Sequence, residues 1–228
     1  MNWILAFIIS SAAMASAKQG LLVQGNCQLK VVPDRGSISF TAENQSKDLQ
    51  SAVKKTTHQI NELKEKIQKL KLEHFELRTL NYSVYPVREY EKDKYVDKGI
   101  KVSMSLEVTT SQIQRLGEAM MEASNVGIQN VGSLMTFLSL EKSQDEYLKC
   151  LDLASIDAKK KADQLAKKLN FGVGKVLHLV EAPALNQSPM PERMVMAKTA
   201  MAIDGSAPSV EAGTQNFSTQ IQVTFEIK

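Results

Sequence analysis

Polar and apolar positions alternate in several stretches of this chain and recur every three or four residues in others. Leu21, Leu22 and Val23, then Leu29, Val31 and Val32, predict a first strand closed by the turn pair Pro33-Asp34. Ile38, Phe40 and Ala42 alternate with Ser37, Ser39 and Thr41, the period of a half-buried second strand. Val53, Thr56, Ile60, Leu63, Ile67 and Leu70 then step by three and four, which draws one stripe along a long helix opened by Ser46. A stripe this short with a threonine in its seam predicts packing on a sheet rather than a free coiled coil.

A long hairpin follows. Leu77, Leu80, Tyr82, Val84 and Val87 lead in, Glu91-Lys92-Asp93-Lys94 forms the tip, and Ile100, Val102, Met104, Leu106 and Val108 lead out. Pro86 lacks an N–H and therefore places the first arm at an edge or bulge. Ser111 and Gln114 stand at capping-box spacing for a second helix with an inward stripe of Ile113, Leu116, Met120 and Ala123, ended by Gly127. Val131, Leu134, Phe137 and Leu140 predict a strand of irregular phase.

Ser143 and Glu146 are the expected capping box of a third helix. Along it Ala154, Ala158, Ala162 and Ala166 recur every fourth residue, beside Leu151, Leu165 and Leu169. So narrow a face lets a helix lie close to its neighbour, while Lys159, Lys160, Lys161, Lys167 and Lys168 turn to water. Asn170, Gly172 and Gly174 lead into a strand at Val176–Val180. Residues 183–213, with four of the six prolines, read as a loop, and Phe217, Ile221, Val223, Phe225 and Ile227 close the chain as a strand. The expected class is α+β, with largely antiparallel sheets, three helices and the order ββα-ββ-α-β-α-ββ.

Residues 1–17 are expected to be a leader rather than part of the fold. Trp3–Ile9 is too short an apolar run to span a bilayer, and Ala15-Ser16-Ala17 matches a signal-peptidase site with cleavage after Ala17. The lack of Lys or Arg before that run leaves an uncleaved anchor as the alternative. Residues 18–228 are then read as one domain that includes the loop. In an exported chain Cys27 and Cys150 either pair, closing a long loop, or remain two separate buried thiols. Gly25-Asn26 before Cys27 is not a lipid-attachment sequence.

The order of these landmarks resembles the SIMPL-domain family of bacterial envelope proteins. The matching pieces are Val23-x-Gly25 before Pro33-Asp34, Tyr85-Pro86 in the hairpin, and Gly127-Ile128-x-Asn130-Val131. The longest is Ala154-x-x-Asp157-Ala158-x-x-x-Ala162-x-x-Leu165-Ala166-x-x-Leu169, which runs into Gly172-x-Gly174-Lys175-Val176. Cys27 stands where the family usually has glycine, and Ile100 where it often has an aromatic residue. The resemblance implies a periplasmic or envelope protein with no established catalytic residues. It also implies relatives that form ring-like or channel-like homo-oligomers, and others tied to envelope or oxidative stress.

Composition adds exclusions. The formal charge of +3 is small for 228 residues and does not suggest a nucleic-acid partner. Lysines of the first helix are interrupted by Glu62, Glu65 and Glu73, as on a solvated face. His58, His74 and His178 have no metal-ligand neighbours at helical or hairpin spacing, and no nucleophile elbow, phosphate loop or zinc motif occurs. The expectation is a non-enzymatic protein without a cofactor, whose partner is another copy of itself or another envelope component. Met190, Met194, Met196 and Met201 in the loop are the exception. They suit subunit contact, and as soft thioethers they are also candidate Cu(I) ligands or oxidant traps, which would make the protein a metal or redox buffer.

Overall fold

The computed structural model of the chain describes residues 20–181 and 210–228. They form an α+β fold in the expected order. The strands are β1 (Gly20–Val31), β2 (Arg35–Ser46), β3 (Glu76–Glu91), β4 (Lys94–Thr110), β5 (Asn130–Val131), β6 (Met135–Phe137), β7 (Val173–Glu181) and β8 (Gln215–Ile227). The helices are α1 (Leu49–Lys69), α2 (Leu116–Asn125) and α3 (Leu140–Leu169), and a 3₁₀ turn, Ile113–Arg115, precedes α2. Of the residues expected to form one irregular strand, Val131 and Phe137 fall in two short strands, Leu134 lies between them and Leu140 opens α3. The chain divides into two compact units. Within the described residues, one holds 20–27, 151–181 and 219–228, and the other holds 28–150 and 210–218.

The larger unit is built on a sheet ordered β3-β4-β2-β5, with β6 also pairing β2. Ile38 faces Val108 and Phe40 faces Leu106 across the antiparallel β2–β4 ladder, so both strands turn their apolar sets to one side. There α1 lies against them, and Ile60, Leu63 and Ile67 are fully buried. Each such side chain contributes about 1.5–3 kcal/mol by leaving water. Leu116, Ala119 and Ala123 of α2 and Val210 join the same core.

The helix starts differ from those the sequence suggests. Ser46 is the last residue of β2, and Asp48 caps α1 by accepting from the Ser51 N–H at 2.7 Å. At Ser111 no capping box forms. Its hydroxyl lies 3.1 Å from His74 Nδ1, while Thr110 Oγ1 accepts from the Gln112 N–H. Ser143 lies one turn inside α3, whose first turn is capped by Ser139, with Oγ accepting from the Lys142 N–H. Asp34 reaches across to accept from both the N–H and the hydroxyl of Ser139, each at 2.7 Å. At α1 and α3 a side chain better placed for the first free N–H groups takes the cap, whereas neither the 3₁₀ turn nor α2 has a side-chain cap.

The smaller unit carries the sheet β1-β8-β7. Thr219, Ile221, Val223 and Phe225 alternate inward along β8. Ala154, Ala158, Ala162 and Ala166 of α3 are all buried, as their four-residue recurrence predicts. The partner they approach is β1. A Cβ added at Gly25 would overlap the Ala154 carbonyl oxygen and come within 2.9 Å of the Ala158 Cβ, so only glycine lets this strand and this helix meet.

Candidate interaction surface

A sheet edge presents unpaired N–H and C=O groups, and how each edge is finished decides whether another chain can add to it. Strand β1 is the edge that α3 finishes. Asp157 Oδ2 accepts from the Asn26 N–H at 2.9 Å, and Lys161 Nζ donates to the Gln24 carbonyl at 2.9 Å. Lys161 also donates to Asp157 Oδ2 at 2.5 Å, so the two side chains hold each other in place. They sit one helical turn apart and supply the acceptor and the donor that a neighbouring strand would otherwise offer. The bonds from Lys161 and from the Asn26 N–H hold the Asp157 carboxyl below its ordinary range.

Strand β3 is guarded by other means. It carries Pro86, breaks register between Thr79 and Asn81 and again between Val87 and Arg88, and ends in charged residues. Lys98 bridges Glu89 at 3.4 Å and Glu91 at 2.5 Å near the tip. Lys92 and Asp93 turn that tip with φ of 47° and 62°, left-handed values taken here by two non-glycine residues.

Strand β7 is the edge without such a finish. Its register shifts lie before His178, and from His178 to Glu181 it pairs regularly with β8. It contains no proline. Leu179 is 56% exposed and Val176 50%, although they pair with Val223 and Phe225, which are buried. Val180, opposite Gln222 on the other face, is also exposed. Among the described residues no strand lies beyond β7. Among the described residues, nothing pairs the outer edge of this apolar strand, and an edge of that kind is one to which another chain can add.

The remaining sequence candidates fall as follows. His58 is exposed near Glu62 at 3.9 Å, His74 meets Ser111 in a turn, and His178 is exposed on β7. Among the described residues no group of His, Cys, Asp or Glu is arranged to hold a metal ion. Cys27, on β1, and Cys150, on α3, are buried, and each is disulfide-bonded. The expected leader with its expected cleavage site at Ala17, and Met190, Met194, Met196 and Met201, lie outside the described residues. Sequence reasoning missed the clasp of β1. Asp157 and Lys161 carry the i,i+4 spacing of an ion pair, but nothing near them in the chain points to Gln24 and Asn26.

Comparison with known proteins fits this architecture. Residues 21–225 match the family described as SIMPL, protein of unknown function (DUF541). The chain is 25% identical over 224 residues to the 26 kDa periplasmic immunogenic protein of Brucella melitensis, covering 94% of this chain and 87% of that one. The protein of the same name from Brucella abortus matches to the same extent. The uncharacterized protein YggE of Escherichia coli K12 is 23% identical over 210 residues, covering 91% of this chain and 83% of its own.

Proposed function

This chain belongs to the SIMPL family and is a protein of the periplasm or cell envelope, and from that premise we propose that it is a non-enzymatic structural or interaction protein that works as a homo-oligomer. The observation that carries this reading is the finish of β7. Strand addition supplies main-chain hydrogen bonds along the edge, while Val176, Leu179 and Val180 supply apolar contact on both faces. A second copy offers a matching edge at no additional sequence cost, as closed symmetric assemblies require.

The uses of the perturbed ionisable groups support a structural role. Asp34 holds Ser139, the cap of α3, Asp157 clasps β1 and Lys98 bridges the hairpin tip. Arg115 joins Glu118 to the Leu70 carbonyl. Each shifted group serves a fixed contact of the fold. The association with envelope stress expected of the family fits a protein that holds or senses other components by contact.

Light scattering tests the proposal. The native protein should have a mass that is a multiple of its single-chain mass across physiological concentrations. Leu179→Lys with Val180→Lys, which places two charges on the exposed edge, should reduce it to one chain without loss of helix and strand signal in circular dichroism. A single-chain mass for the native protein would refute the reading.

A further inference from the structure

On the clasped side of the smaller unit a shallow groove of about 530 Å³ runs between β1 and α3. Leu22, Val23, Gln24 and Asn26 line it from the strand, and Lys161, Gln164, Leu165 and Lys168 line it from the helix. The volume lies within the range of small-molecule sites. Lys161, Leu165 and Lys168 share one face of α3 at i, i+4 and i+7, spread over about 10 Å of its axis.

Two features of this lining decide what it suits. No carboxylate lines it, and its two cations are not equivalent. Lys161 is neutralised by Asp157 and fixed to the Gln24 carbonyl. Lys168 has no ion-pair partner among the described residues. One positive charge is therefore left at one end of the groove. The second feature is apolar. Leu22 is 63% exposed and Leu165 42%, and both line this groove, one from the strand and one from the helix. Isolated exposed leucines need no explanation, but two that line one groove together with an ammonium that has no ion-pair partner among the described residues make it amphipathic.

We infer that the β1–α3 groove binds a single-chain anionic amphiphile, with its carboxylate head on Lys168 and its acyl tail between Leu22 and Leu165. Lys161 walls the groove rather than binding the head, because Asp157 and the Gln24 carbonyl already satisfy it. The amides of Gln24, Asn26 and Gln164 line the polar rim. The charge excess argues for an anionic head, and the two exposed leucines of the lining argue for a tail, so neither a free small anion nor a cationic surfactant fits both.

Titration calorimetry on the full protein tests this with dodecanoate below its micelle concentration. Dodecyltrimethylammonium presents the same tail with the opposite charge, and acetate presents the head alone. The expected result is saturable binding of one dodecanoate per chain, with neither control binding measurably. Lys168→Glu and Leu165→Ser should each weaken it by about tenfold, a change worth about 1.4 kcal/mol. Lys168→Gln, which removes the charge with little change of size, should weaken it in the same direction. Lys160→Glu, outside the groove, should leave it unchanged. Absence of saturable binding, equal binding of the cationic amphiphile or of acetate, or unaltered affinity in both Lys168 variants would overturn the inference.

Discussion

The two outer strands of the three-stranded sheet face the same physical problem and meet it in opposite ways. On β1 the edge is occupied from within the chain, because Asp157 and Lys161 take the hydrogen bonds of Asn26 and Gln24. Gly25 between them lets α3 come close enough for those side chains to reach. On β7 the edge is regular from His178 to Glu181 and exposes apolar side chains, and no described element beyond it takes its hydrogen bonds. Closing an edge takes a glycine, a row of alanines and an ion pair at matching positions, whereas leaving one open takes only an unguarded strand. If the chain associates as proposed, the contrast between the two edges directs that association to β7, where no described element takes the outer hydrogen bonds.

The largest effect expected from breaking this contrast comes from the anchored side. Replacing Cys27 and Cys150 together by serine removes the disulfide bonding of β1 and α3 residues, and should lower unfolding stability by about 3–5 kcal/mol in urea titration. Gly25→Val should cost about 3 kcal/mol, since the new side chain would have to displace the Ala154 backbone, and the loss should register as a lower urea midpoint. Val176→Lys on the open edge should leave that midpoint nearly unchanged while lowering the solution mass, since Val176 is half exposed.

Acid should produce the mildest change. The Asp34 carboxyl is pushed up by burial, but the bonds from the Ser139 hydroxyl and N–H outweigh this and leave it below its ordinary value. Asp157 is lowered as well, by Lys161 and the Asn26 N–H. For groups depressed in the folded state, the stability they contribute is complete above the unfolded value near 3.8 and is lost as pH falls through the lower folded values. Stability should therefore be flat in these two groups from neutral pH to about pH 5 and decline below about pH 4. Asp34→Asn and Asp157→Asn together should flatten that acid limb in thermal melts.

Much of the scaffold is legible in the sequence, because periodicity reports burial directly. Ile60, Leu63 and Ile67, Phe40 with Leu106, and the alanines of α3 are buried where their spacing places them. Helix starts are less legible, since several small polar residues compete for each. Ser46 gives way to Asp48, and Ser143 to Ser139 held by Asp34, a residue 105 positions away in the chain. The interaction surface is the least legible. Val176–Val180 reads as an apolar strand, but periodicity does not encode that it ends the sheet order β1-β8-β7. The clasp joins Asn26 to Asp157 across 131 positions, a distance over which local spacing carries no signal.

Hydrogen–deuterium exchange followed as the protein is diluted tests the contrast between the two edges most directly. Peptides covering β7 should be protected at high concentration and exchange faster on dilution, while those covering Gln24–Asn26 of β1 should keep the same protection throughout. Protection of β7 that does not depend on concentration, or a loss of protection in β1 on dilution, would contradict the account.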